Sequence, residues 1–117
     1  MKNKRATGAD YEKKAAAYLE SKGYEILEFN FHCRMGEIDL VAKDGEYLVF
    51  VEVKYRDSEK KGHPLEAVSA QKQRTISKCA MYYMTKNGLS YMPVRFDVVG
   101  ILGNDIQLIQ NAFDFIM

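Results

Sequence analysis

Two cysteines, two histidines, no long apolar run and almost no net charge define what this sequence is short of. Two cysteines cannot build the disulfide framework that stabilises small secreted domains. Neither Cys33 nor Cys79 belongs to a Cys-x-x-Cys pair, so both are expected as free thiols in a reducing compartment. His32 and His63 lack the spacing of zinc ligands and are expected on the surface or in loops. No stretch approaches the length of a membrane span. The basic start, MKNKRATGAD, lacks the apolar segment of a signal peptide, and a cytoplasmic location away from membranes is the expectation. The net charge of +1 does not announce a nucleic-acid binder. The 117 residues suit one core, and with no repeat, linker or low-complexity segment a single domain over 1–117 is expected.

What is present is concentrated in Gly36 to Arg56, GEIDLVAKDGEYLVFVEVKYR. Two apolar-rich runs flank Asp44-Gly45, a dipeptide suited to a hairpin turn with positive φ at both central positions. A turn there pairs Lys43 with Glu46, Val41 with Leu48, Asp39 with Phe50 and Glu37 with Glu52. Side chains alternate between faces along a strand. Ile38, Leu40, Ala42, Val51, Val49 and Tyr47 then share an apolar face. The other face is apolar near the turn and carries Glu37, Asp39, Glu52 and Lys54 at its far end. In this register Asp39 and Glu52 are diagonal neighbours, roughly 7–8 Å apart. Acids and an ammonium on one face of a central hairpin are expensive unless paired or bound to a cation. A structural ion pair through Lys54 explains the pattern as well as a functional site does. Two carboxylates beside a lysine also suit Mg²⁺, which takes carboxylate oxygens, keeps several waters and meets phosphates.

Around this hairpin the sequence predicts the order αβββαββ. A helix runs from about Gly8–Asp10 to Lys22, with Tyr11, Ala15, Tyr18 and Leu19 as its apolar stripe and Gly23 as its stop. Glu12 in its first turn either compensates the helix dipole or points toward the hairpin acids. A strand covers Tyr24 to Arg34, interrupted at Asn30 and His32. The polar loop DSEKKGHP follows the hairpin. A second helix is expected from near Pro64 to about Lys86, with Asn87-Gly88 as its stop. Its stripe, Leu65, Val68, Ile76, Cys79, Ala80 and Tyr83, is broken by Lys72. That lysine snorkels into water or leans over the sheet. Strands at Val94–Leu102 and Ile106–Ile109 complete the order, and Asn111 to Met117 is an apolar tail of unassigned form. Two helices separated by strands predict a mixed sheet covered on both faces. From Lys54 to Lys78, seven basic residues stand against three acidic ones. This basic middle is either a solvated face or a surface for phosphates.

An aspartate followed across a hairpin by Glu-x-Lys resembles the PD-(D/E)xK nuclease superfamily, which includes type II restriction enzymes and archaeal Holliday-junction resolvases. The fuller set, Gly8…Glu12, Gly23-Tyr24, Asn30, GEIDLVA, LVFVEVKYR, GHPLEAV and RFDVVGI, resembles the bacterial YraN-type family along nearly the whole chain. The resemblance implies a restriction endonuclease-like three-layer α-β-α domain that hydrolyses phosphodiesters with Mg²⁺ or Mn²⁺, acting on DNA. It implies catalytic roles for Asp39, Glu52 and Lys54. Metal would be held by Asp39, Glu52, the Val53 carbonyl and Glu12. Nucleic acid would meet Arg56, Lys60, Lys61, Lys72, Gln71 and Arg74. Resolvase-like relatives pair, so a homodimer is among the expectations. Ile38 stands where the superfamily commonly has proline, and Tyr11 where a second glycine is expected. No helix-turn-helix or zinc finger accompanies the domain, so structure- or end-selective action is expected rather than reading of one base sequence. The alternative is a non-catalytic nucleic-acid-binding module that keeps the nuclease fold.

Overall fold

The change from helical to alternating periodicity along the chain sets the element order in the computed structural model, which describes residues 8–56 and 68–116. The elements are α1 (Gly8–Ser21), β1 (Glu25–Cys33), β2 (Gly36–Asp44), β3 (Tyr47–Arg56), α2 (Ala70–Asn87), β4 (Val94–Leu102) and β5 (Asp105–Phe113). The predicted αβββαββ order holds. The five strands form one sheet in the order β1-β2-β3-β4-β5. Neighbours are antiparallel except β3 and β4, which run parallel. A parallel pair needs a crossover, and α2 supplies it.

The helices cover opposite faces. Ala15, Ala16 and Leu19 of α1 pack with Leu40, Ala42, Val49, Val51, Val99 and Ile101. Ile76, Cys79, Ala80, Tyr83 and Met84 of α2 pack with Val41, Leu48, Phe50, Phe96 and Val98. Strand residues of opposite parity feed the two cores, so β2, β3 and β4 are apolar on both sides.

The hairpin register differs from expectation. Asp44 pairs with Tyr47, Lys43 with Leu48, Val41 with Phe50 and Leu40 with Val51. The turn is therefore Gly45-Glu46, not Asp44-Gly45. Gly45 has φ 61°, and no other residue of the turn has positive φ. A turn that needs positive φ at its first central residue alone is satisfied by one glycine. Asp44 then stays in the strand, where its carboxylate meets Arg95 at 2.8 Å.

The second helix starts at Ala70 rather than near Pro64. Ser69 is its N-cap, with the hydroxyl accepting the Lys72 N–H at 3.1 Å. Pro64 and Leu65 lie outside the described residues. Gly88 ends the helix at φ 67°, as the Asn87-Gly88 dipeptide predicts. The last strand is longer than expected and takes in Asn111, whose φ of 54° sits at a register shift opposite β4.

A polar network ties β2, β4 and β5 to Tyr24, the residue before β1, on the α1 face. Asp97 is fully buried. It accepts the Tyr24 O–H at 2.6 Å, Arg95 Nε at 2.9 Å and the Asn111 N–H at 2.9 Å. Arg95 also reaches Tyr24 and Asp44, and Gln110 donates to Tyr24. Burial and the bond to Asp97 push the Tyr24 hydroxyl up to about 12. Each buried polar atom here has a partner, which is what makes a buried ion pair tolerable. On the other face the Cys33 thiol donates a hydrogen bond to Cys79 Sγ at 3.2 Å, and both cysteines are free.

Candidate active site

Strands β2 and β3 pair from the turn only as far as Leu40 and Val51. Gly36 to Asp39 and Glu52 to Arg56 lie beyond that point. This leaves a notch whose two lips are the start of β2 and the end of β3. Continuing the register sets Asp39 opposite Glu52, closer than the diagonal relation expected from sequence.

A break in alternation aims Asp39 into the notch. Ile38 packs with the α2-face core and Leu40 with the α1-face core. Strict alternation would put both on one side. The same switch occurs in β1, where Phe31 pairs with Ile38 and Phe29 with Leu40. Between them Asn30 adopts φ 49°, a left-handed conformation that asparagine tolerates better than most residues. The Asp39 carboxylate accepts the Val53 N–H at 2.8 Å.

Both helices contribute to the notch. From α1, Glu12 is only 9 % exposed and accepts a hydrogen bond from Asn30 Nδ2 at 2.7 Å. From α2, Lys72 reaches Glu52 at 3.6 Å, with side-chain exposures of 46 % and 11 %. Lys72 thus leans toward a carboxylate of the sheet with its side chain half exposed. The Lys54 charge acts on Glu52 as well.

The electrostatics are those of too many acids in too little water. The Glu52 carboxyl is pushed up to about 7 by burial first and then by the Asp39 charge, against the opposing pull of Lys72 and Lys54. Asp39 is also raised by burial, although the Val53 N–H and Lys72 pull it down. The two carboxyls lie close enough for each to bear on the other's proton. Glu12 rises to about 7 through burial and then the charges of Asp39 and Glu37. Glu37 itself lies outside the cluster, pairing with His32 at 3.3 Å on the surface.

The described side chains form no group of three His, Cys, Asp or Glu around a common point. Two carboxylates facing each other across the strand ends fit a hard divalent ion. Mg²⁺ needs only one or two such ligands and fills its shell with water.

Of the residues expected from sequence, Asp39, Glu52, Lys54, Glu12 and Lys72 converge on the notch, and Val53 borders it through its N–H. Arg56 lies just beyond, with Nη1 on the Tyr55 carbonyl at 2.7 Å and Nε buried without a partner among the described residues. Gln71 and Arg74 are exposed on the first turns of α2 and make no hydrogen bond or ion pair with the carboxylates. Lys60 and Lys61 lie outside the described residues. Asn30 was not expected in the site. Its signal was an asparagine interrupting a strand, the mark of a left-handed residue.

No helix among the described residues is long and apolar enough to cross a membrane. The model of "Uncharacterised protein family UPF0102" matches residues 11–101. A UPF0102 protein of Lachnoclostridium phytofermentans is 53% identical over 113 residues, covering 96% of each chain. One from Caldicellulosiruptor saccharolyticus is 45% identical over 117 residues, covering 95% of this chain and 99% of its own. One from Syntrophus aciditrophicus is 49% identical over 112 residues, covering 92% and 88%. The match takes in the whole notch, from Glu12 to Lys72, and the chain belongs to the UPF0102 family.

Proposed function

We propose that this domain is a metal-dependent nuclease of the restriction endonuclease-like class, acting on DNA selected by its structure or ends. The observation that carries the proposal is the Asp39–Glu52 pair, two half-buried carboxyls opposed across the end of a ladder, with Lys72 reaching Glu52 from α2. Asp39 and Glu52 would hold the ion, with the Val53 carbonyl and Glu12 as the further groups that the superfamily likeness suggests. Mg²⁺ or Mn²⁺, when bound, lowers the pKa of a water and offsets charge developing on phosphorus. Lys54 orients that water or meets the phosphate. Lys72, leaving Glu52 to the ion, turns its half-exposed ammonium to the incoming backbone. Asn30 fixes Glu12, so that a third carboxylate stands behind the pair without entering it. Mixed-sheet order and helices on both faces are in keeping with such a fold.

The test is cleavage of flapped, branched and single-stranded DNA in Mg²⁺ or Mn²⁺. Wild type should cleave at least one of these. Asp39→Asn and Lys54→Ala should abolish cleavage while melting as cooperatively as wild type. Cleavage that survives both changes overturns the proposal. Salt-dependent binding without cleavage, indifferent to Mg²⁺ and to Asp39→Asn, would mark a non-catalytic binding module instead.

A further inference from the structure

An aromatic pair stands at the lip of the notch and has no part in the chemistry above. Tyr11, immediately before Glu12, stacks on Tyr55, immediately after Lys54, with ring centroids 3.8 Å apart and planes 11° from parallel. On β3, Glu52 and Lys54 point one way and Val53 and Tyr55 the other. The pair therefore sits across the strand from the acids, beyond the last β2–β3 pairing. Tyr11 packs partly into the α1-face core. Tyr55 is 40 % exposed although Tyr11 covers one face of its ring.

Val49 and Val51 precede Tyr55 at two-residue spacing and are buried. The series thus ends in a large flat ring held rigid by a second one and offered to solvent. Tyr55 stands three positions after Glu52, roughly 10 Å along the strand. Arg56 follows on the side of the acids, with its guanidinium donating to the Tyr55 carbonyl. A rigid aromatic ring on one side of a strand end and cations on the other, one short step from a phosphate site, is an arrangement on which a base can stack while its backbone meets the charges. Paired bases in a duplex have their faces covered by their neighbours. Away from a duplex end, only an unpaired nucleotide has a face to give.

We infer that Tyr11 and Tyr55 form a stacking platform for an unpaired base, so that the notch takes DNA with a single-stranded segment at the scissile phosphate. This rests on the nuclease reading above. The test is fluorescence anisotropy in EDTA with a labelled oligothymidylate and a blunt duplex of equal length. Tyr55→Leu keeps an apolar cover and removes the π-face. It should weaken single-strand binding about tenfold, within the range measured for loss of one stacked base, and leave duplex binding unchanged. Tyr55→Phe should bind as wild type. Tyr11→Leu, which spares Tyr55 and removes its support, should give a smaller loss in the same direction. Single-strand binding by Tyr55→Leu equal to wild type overturns the platform, as does an equal loss on single strand and duplex. If wild type still shows Asp39-dependent cleavage in either case, the platform falls and the nuclease reading stands. If wild type binds neither oligonucleotide and cleaves nothing, both fall.

Discussion

Raising the pH of the metal-free protein from about 5 to about 8 should destabilise it through Glu52 and Glu12. Each carboxyl releases its proton near 4.5 when unfolded and holds it to about 7 when folded. Between those values the folded state binds more protons, so stability falls as pH rises. The contribution is fully present below about 4.5 and is lost as pH climbs through about 7. At 1.36 kcal/mol per pH unit, one such carboxyl accounts for roughly 3 kcal/mol. Burial is the larger cause for each carboxyl and is local to it, so the two contributions nearly add, to about 6 kcal/mol. For a chain of this size 1 kcal/mol moves Tm by about 4 °C, giving a fall of roughly 24 °C. Calorimetric melts in EDTA across this range would show it. Glu52→Gln cannot ionise, and its Tm should fall by about half as much. Mg²⁺ at a hundred times its Kd contributes about 2.7 kcal/mol, nearly the whole Glu52 share, so it should bring the wild-type curve close to that of Glu52→Gln and barely move the latter. Parallel curves for the two proteins, or no response to Mg²⁺ and Mn²⁺ near pH 8, would refute the reasoning.

Two further outcomes test the scaffold apart from the site. Asp97→Ala strands the Arg95 cation with Asp44 as its only carboxylate and should cost about 3–5 kcal/mol in urea melts, without altering the difference between wild type and Glu52→Gln across pH. Gly36→Ala places a Cβ 2.7 Å from Thr75 Cγ2 at a φ of 152° and should destabilise by roughly 1–3 kcal/mol. Adding Thr75→Ser removes that methyl and should recover the steric part of the loss only.

Element order was legible because each segment carries one period. The stops at Gly23 and Asn87-Gly88 were legible for the same local reason, since a glycine after a helix takes the left-handed conformation at little expense. The hairpin register was not. Asp-Gly fits a turn with two positive φ values, but Gly-Glu fits one that needs only the first. What decides between them is Arg95, fifty residues away, which holds Asp44 in the strand. The start of α2 was missed because proline permits a helix start without fixing one, whereas the Ser69 hydroxyl closes an N–H that would otherwise be open.

The site residues were legible where they followed periodicity and hidden where they broke it. Glu52 and Lys54 share a face at two-residue spacing, and Lys72 precedes Ile76 by one helical turn. Asp39 was placed on that face by the same rule, yet the rule fails at Asp39 itself. Its neighbours Ile38 and Leu40 belong to opposite cores, so its carboxylate lies between the faces rather than on one. That position lets α1 from one side and α2 from the other each bring a charged group to it. A regularly pleated sheet would keep Glu12 and Lys72 apart by its own thickness. The left-handed Asn30 opposite provides the kink and then uses its amide to hold Glu12. Asn30→Ala therefore should act twice, straining the backbone at φ 49° and releasing Glu12, and its Tm loss should shrink when Glu12 is also changed to Gln. A loss the same in both backgrounds would mean that the kink and the carboxylate are independent, and that the meeting of two helices at one acid owes nothing to the asparagine.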